Sequence, residues 1–241
     1  VPEADVAGAF NRLDDCQTDD PPNLRDALSG LVQIRRGSGG LVTVGRTSGR
    51  RSDFVTEHEL GSDTSVVFNH QARRHPKPKD RELFETAMSP GDTSWDIVHS
   101  TEYGHLIDYD VGTEDEPRFG DKYRMLRWDE PAPTVVAHLA KDSNNFIIPD
   151  YYDHVSVNSE KADPRRNRGV TPREAARIQT FPDEYVFLGA FTSWFRQIGN
   201  AVPPLLGHHV ATAVADSLAT STSDSVEAVG SSVQAAVSDD D

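Results

Sequence analysis

Cysteine is all but missing from the sequence: Cys16 is the only one in 241 residues. Neither a disulfide framework nor a cysteine-rich zinc site can be built from it. Histidines are scattered, and the adjacent pair His208-His209 has no third ligand near it in sequence, so no metal site is expected. No apolar run approaches the roughly 18 residues needed to cross a bilayer, and no leader pattern opens the sequence, so no membrane is expected and the expected location is cytoplasmic. Lysine is scarce as well, supplying 5 of the 24 cationic residues, while 39 carboxylates bring the formal net charge to -15. Taken whole, that charge opposes a polyanionic partner. The cations are bunched, however: Arg35, Arg36, Arg46, Arg50 and Arg51; Arg73, Arg74, Lys77, Lys79 and Arg81; Arg118, Lys122, Arg124 and Arg127; Arg165, Arg166, Arg168, Arg173 and Arg177. Each bunch is either a solvated face or an anion-binding one. Asp outnumbers Glu two to one, a bias resembling that of halophilic proteins, in which strong salt screens surface charge.

What is present divides the chain into four stretches. Residues 1–23 are an acidic leader or linker closed by Pro21-Pro22, and 219–241 have the Ser-, Ala- and Asp-rich composition of a disordered acidic tail. Between them, Asn23 caps a short helix with Leu24, Ala27, Leu28 and Leu31 on one side. The next stretch, to Glu59, carries Gly37, Gly39, Gly40, Gly45 and Gly49 and reads as an irregular loop holding a short strand at Leu41 to Val44. It lacks both the Lys of a Walker loop and the strand-loop-helix setting of a dinucleotide cradle. Lys79 to Met88 suits an amphipathic helix, and Gly91 to Val98 reads as a loop. Thr134 to Leu139 and Asn145 to Ile148 read as a hairpin.

Near the C-terminal end, Thr171 and Glu174 fit a capping box with Pro172 at the first helical position. The helix runs to about Gln179, and Phe181-Pro182-Asp183 ends it. An aromatic-rich loop follows, then a break at Gly199-Asn200, then a helix with Leu206, Val210, Val214 and Leu218 at every fourth position. That apolar stripe calls for a covering surface.

Two runs within this region, R-x-x-T-x-R-E-x-A-R-I-Q-x-F-P-D from Arg168 and R-Q-I-G-N-A-V-P-P from Arg196, resemble the ninth and tenth motifs of the DNA (cytosine-5) methyltransferases. Asn69 to Arg73, Lys122 to Thr134 and Phe146 to Pro149 are similar to elements between the eighth and ninth motifs, the interval of the family's target recognition domain. The resemblance implies a target recognition region over 24–160 and motifs IX and X with their cofactor-pocket-closing helices over 161–218. The implied fold is mixed α/β, short strands and loops followed by helices that pack on a Rossmann-like methyltransferase domain.

The same resemblance assigns roles. Thr134 matches the Thr-apolar pair that contacts phosphate, and Arg124 and Arg127 on that segment are DNA contacts or solvated surface arginines. Arg173 and Glu174 are structural, holding the recognition region in place. Asn200 and Ala201 match positions that help close the S-adenosyl-L-methionine pocket, Ala201 through its backbone. The duplex must be opened for the base to be reached. The family's Pro-Cys-Gln, Glu-Asn-Val, Gln-x-Arg-x-Arg and Gly-rich cofactor motifs are not found, and no catalytic residue is assigned. Cys16 is preceded by Asp15 where Pro belongs, and its acidic surroundings disfavour a thiolate. Two readings follow: one part of a methyltransferase that acts on duplex DNA with a partner chain carrying the N-terminal catalytic half, or a non-catalytic DNA-binding remnant or truncated product.

Overall fold

A computed structural model describes residues 20–32, 34–45, 50–61, 65–74, 77–136, 139, 146–150 and 163–219. The expected leader through residue 19, with Cys16, and the expected tail from 220 lie outside these residues. Residues 21–201 form one compact unit, and those from 202 belong to another.

In the first unit, helix α1 (Leu24–Leu28) starts at a capping box in which Asn23 and Asp26 exchange side-chain and backbone hydrogen bonds. Its apolar side, Leu24, Ala27 and Leu28, is buried. Strand β1 (Gly39–Val44) pairs antiparallel with β2 (Val66–Gln71), Gly39 lying opposite Gln71 and Val44 opposite Val66. Gly39 is required at that edge. Its φ is +84°, and a Cβ there would lie 1.9 Å from the His70 carbonyl oxygen. The irregular loop expected to run to Glu59 contains instead a helix between the strands, α2 (Asp53–Glu57), started by Ser52, whose hydroxyl accepts the Val55 N–H.

The expected helix at Lys79 to Met88 is two pieces: α3 (Pro78–Glu82) and a π-helical turn, Leu83–Ala87, that buries Leu83, Phe84 and Ala87. The segment read as a loop at Gly91 to Val98 contains helix α4 (Ser94–Ser100), nucleated by a Thr93/Asp96 capping box. A 3-10 turn at Glu102–Leu106 follows. Of the expected hairpin, residues 137, 138 and 140–145 lie outside the described residues; 134–136 have no regular structure, and β3 (Ile147–Ile148) pairs with β4 (Arg168–Gly169).

Helix α5 (Pro172–Ile178) has the expected Thr171/Glu174 box. The expected aromatic loop is largely helical: α6 (Phe191–Asn200) runs through Phe191, Trp194, Phe195 and Ile198, and the Gly199-Asn200 break is its final turn.

Two apolar clusters meet along β3. Ile148 and Leu126 join one with Leu28, Leu31, Ala175, Ala176, Phe187 and Phe195; Ile147 and Met125 join the other with Leu83, Phe84, Ile97 and Leu106. Successive strand residues point to opposite faces, so one short strand serves both clusters. Each fully buried Leu or Phe contributes about 1.5–3 kcal/mol.

In the second unit a helix spans 204–219. Its stripe is exposed, with Leu206, Val210, Val214 and Leu218 at 51, 41, 48 and 54% relative accessibility.

Candidate functional site

The short helix α5 carries three charged side chains that are fully buried, Arg173, Glu174 and Arg177, and Arg168 just before it is buried too. Charge is almost never placed in a core without partners. The partners here decide what the region does.

Glu174 accepts two hydrogen bonds from the Arg168 guanidinium, at 2.8 and 2.6 Å, and one from the Thr171 N–H at 2.8 Å. Burial pushes its pKa up. The charge and hydrogen bonds of Arg168, aided by His70 and the Thr171 N–H, outweigh burial and bring the pKa down to about 2. The Thr171 hydroxyl accepts the Glu174 N–H at 3.1 Å and lies 2.9 Å from His70 Nδ1. His70 Nε2 lies 2.7 Å from the Val32 carbonyl oxygen. A carbonyl can only accept, so Nε2 carries the proton and Nδ1 accepts from Thr171. Burial lowers the His70 pKa to about 4, with Arg168 and Arg173 adding to the fall and Glu174 and the Val32 carbonyl opposing it. The ring is a neutral link between β2 and α5.

Arg173 donates to three carbonyls, those of Phe68 and Pro182 at 2.9 Å each and that of Tyr185, and lies over the Phe187 ring. Burial lowers its pKa to about 10, against the pull of Asp183. Arg177 forms a two-pronged pair with Asp183 at 2.8 and 2.6 Å and donates to the carbonyls of Ala27 and Ser29 at the end of α1. Asn69, at φ +56°, exchanges hydrogen bonds with the backbone N–H and carbonyl of Phe187, each 2.8 Å. Together these groups bolt α1, β2 and the segment 182–187 onto α5.

The basic bunch from Arg165 to Arg177 is therefore not one anion-binding or solvated face. Arg168, Arg173 and Arg177 are spent inside the core, whereas Arg165 is exposed and pairs with Asp163 at 2.8 Å. Arg36 also turns inward, to Glu85 and the Asn167 carbonyl. Arg173 and Glu174 lie in the network described above. The roles of Arg168, Arg177, Asp183, His70 and Asn69 were not assigned from sequence. The six-residue spacing of Arg168 to Glu174 and of Arg177 to Asp183 is a signal only once the helix is known to end between the latter pair.

The other candidates lie elsewhere. Arg124 is half-buried in a single bridge to Thr93, and Arg127 is held by the Pro90 carbonyl at 3.2 Å and Glu130 at 3.1 Å. Both arginines line a hollow of about 120 Å³ with Gly91, Glu130 and Pro133. Thr134 follows directly, exposed, and Val135 is buried beneath it. Asn200 is exposed at the end of α6, and the Ala201 N–H is already bonded to the Ile198 carbonyl at 3.2 Å. Among the described residues no group of three or more His, Cys, Asp or Glu is placed to hold a metal, and no helix is long and apolar enough to cross a membrane.

Residues 53–216 match the family described as C-5 cytosine-specific DNA methylase. The type II methyltransferase M.Bpa9945I of Bacillus paralicheniformis is 34% identical over 206 residues, which cover 81% of this chain and 41% of that protein. The type II methyltransferase M.DdeI of Desulfomicrobium norvegicum is 31% identical over 198 residues, 78% of this chain and 41% of that one. The type II methyltransferase M.AgeI of Thalassovita gelatinovora is 50% identical over 97 residues, 40% of this chain and 19% of its own. The chain thus spans well under half the length of these relatives.

Proposed function

The chain belongs to the C-5 cytosine-specific DNA methylase family, and from that premise we propose that it supplies the target-recognition part and one edge of the cofactor site of a methyltransferase that modifies C5 of cytosine in duplex DNA. The nucleophile, which must add to C6 to make the ring electron-rich, comes in this reading from polypeptide outside these 241 residues. The one cysteine, Cys16, has no Pro before it.

The observation that carries the reading is the buried network around α5. It fixes the Asn69-His70 element of the recognition region and the ninth-motif helix to each other through His70, Thr171 and Arg173. A recognition part must keep its register while an opened duplex is held against it. Charged groups bonded on all sides inside a core supply that rigidity. In this scheme Thr134 and Arg124 face phosphate or base edges, and Arg127 joins them once it exchanges Glu130 for DNA. Arg173 and Glu174 position rather than touch.

S-adenosyl-L-methionine would supply the methyl group. The residues here fit it as an edge rather than as a pocket: the exposed Asn200 side chain can donate and accept, and at Ala201 only the carbonyl is left over from the bond to Ile198. The reading is tested by mixing the chain with a polypeptide bearing the Pro-Cys-Gln motif, radiolabelled cofactor and duplex DNA. Label transfer is expected in the mixture alone. Binding of DNA without transfer in any mixture would favour the non-catalytic alternative.

A further inference from the structure

Arg124 and Arg127 share one hollow of about 120 Å³ but hold their charges differently. We propose that Arg124 is a base-reading residue, donating to the O6 and N7 acceptors of a guanine in the major groove of the duplex; the proposal rests on the DNA-holding role given above.

The backbone that carries Arg124 is fixed. Its carbonyl accepts the Ile147 N–H at 2.8 Å, and the Met125 N–H beside it donates to the Asp92 carbonyl at 2.9 Å. The N–H groups of Leu24 and Arg25 donate to the carbonyls of Glu130 and Trp128 at 2.9 and 3.0 Å, which ties the Glu130 segment of the hollow to α1. A guanidinium mounted on such a frame has less freedom to lose on binding than one on a free loop. Its donors are also uncommitted. No hydrogen bond or ion pair takes them among the described residues, whereas Arg127 gives two of its own to the Pro90 carbonyl and to Glu130. The Arg124 side chain is half-buried, a partly sheltered setting in which a hydrogen bond is worth more.

Charge then separates the possible ligands. Glu130 lines the hollow, and Asp96, whose carboxylate accepts the N–H and hydroxyl of Thr93 at 2.8 and 2.7 Å, feels the charge of Arg124 without pairing with it. A phosphate brought here meets like charge from both carboxylates. A base edge is neutral and does not. Guanine is the base that presents two acceptors together in the major groove, which matches a side chain able only to donate. The hollow, at about 120 Å³, is well under the roughly 300 Å³ of a pocket that encloses a small molecule. It therefore suits an edge standing over it rather than a whole nucleotide.

The experiment selects, from a pool of randomised duplexes, those bound by the full chain, and compares the unmodified protein with Arg124→Gln. The unmodified chain should fix guanine at one or more positions. Arg124→Gln should lose roughly tenfold of the preference for guanine at one of them and keep the others. Its plot of log affinity against log salt should keep the slope of the unmodified chain. Uniformly weaker binding with a slope shallower by about one unit would make Arg124 a phosphate contact and overturn the assignment. So would an unchanged preference at every position. A second measurement is independent of how the variant folds: each selected guanine is replaced in turn by 7-deazaguanine, which lacks the N7 acceptor. Binding by the unmodified chain should weaken several-fold at one position, and equal binding at all of them would overturn the assignment. Binding without any base preference would do the same while leaving the DNA-holding role intact, and no binding at all would overturn both.

Discussion

Replacing Glu174 by Gln removes one charge and turns one of the two acceptor oxygens into an NH2 donor. Gln at the third helical position can still complete the capping box with Thr171 through its remaining oxygen, so the helix start is kept. What is lost is the charge partner of Arg168 and one of the two acceptors of its hydrogen bonds at 2.8 and 2.6 Å, which leaves a buried guanidinium N–H facing an amide N–H. Breaking one side of a buried ion pair costs about 3–5 kcal/mol. The lowered pKa of Glu174 points to the same order of magnitude. Its folded pKa near 2, against an ordinary value of 4.5, corresponds to about 3 kcal/mol at 1.36 kcal/mol per unit. Because the folded pKa is depressed, this stability is present above pH 4.5 and is lost as pH falls toward 2. Urea unfolding followed by tryptophan fluorescence reports it, since Trp194 is buried in the core. At neutral pH the Gln variant should lose about 3 kcal/mol, and the gap to the unmodified chain should narrow below pH 4.5. A loss below about 1 kcal/mol, the level of a surface pair, would refute the view that this network holds the two motif regions together.

Other perturbations probe the same construction. Acidification from pH 6.5 toward 4 should already weaken the fold, because His70 stays neutral in the folded state while its unfolded counterpart takes up a proton; a flat urea midpoint over that window would contradict the neutral tautomer. Arg177→Met should cost several kcal/mol, on the order of a broken buried pair, by stranding Asp183 and the α1 carbonyls, as read from the thermal midpoint. Gly39→Ala should be destabilised by at least about 1–2 kcal/mol from its backbone conformation alone, with the clash against the His70 carbonyl added; an unchanged urea midpoint would show that the β1 edge can shift. In a reconstituted mixture, Asn200→Ala should raise the S-adenosyl-L-methionine concentration needed for half-maximal transfer while leaving DNA affinity alone.

Features set by neighbours in sequence were legible. Thr171, Pro172 and Glu174 announce α5 within four positions, and Asn23 announces α1 in the same way. The signal for α6 was also present, since Phe191, Trp194, Phe195 and Ile198 follow the i, i+3, i+4, i+7 pattern, but Gly199-Asn200 read as a break rather than as its last turn. Pairing of Ile147–Ile148 with Arg168–Gly169 was not legible, because alternation identifies a strand without naming its partner. The buried arginines were hidden for a related reason. A count of cations says nothing about which face a carboxylate or an unsatisfied carbonyl at the end of α1, and those partners come from β2, α1 and the segment after α5.

The proposed division of labour, with this chain and a separate catalytic part needed together for methylation at C5, is decided by nucleoside analysis of duplex DNA after incubation with S-adenosyl-L-methionine and the chain, the Pro-Cys-Gln polypeptide, or both. 5-Methyldeoxycytidine is expected only when both are present. Methylated nucleoside formed by this chain alone, or none formed by the mixture, would overturn the proposal.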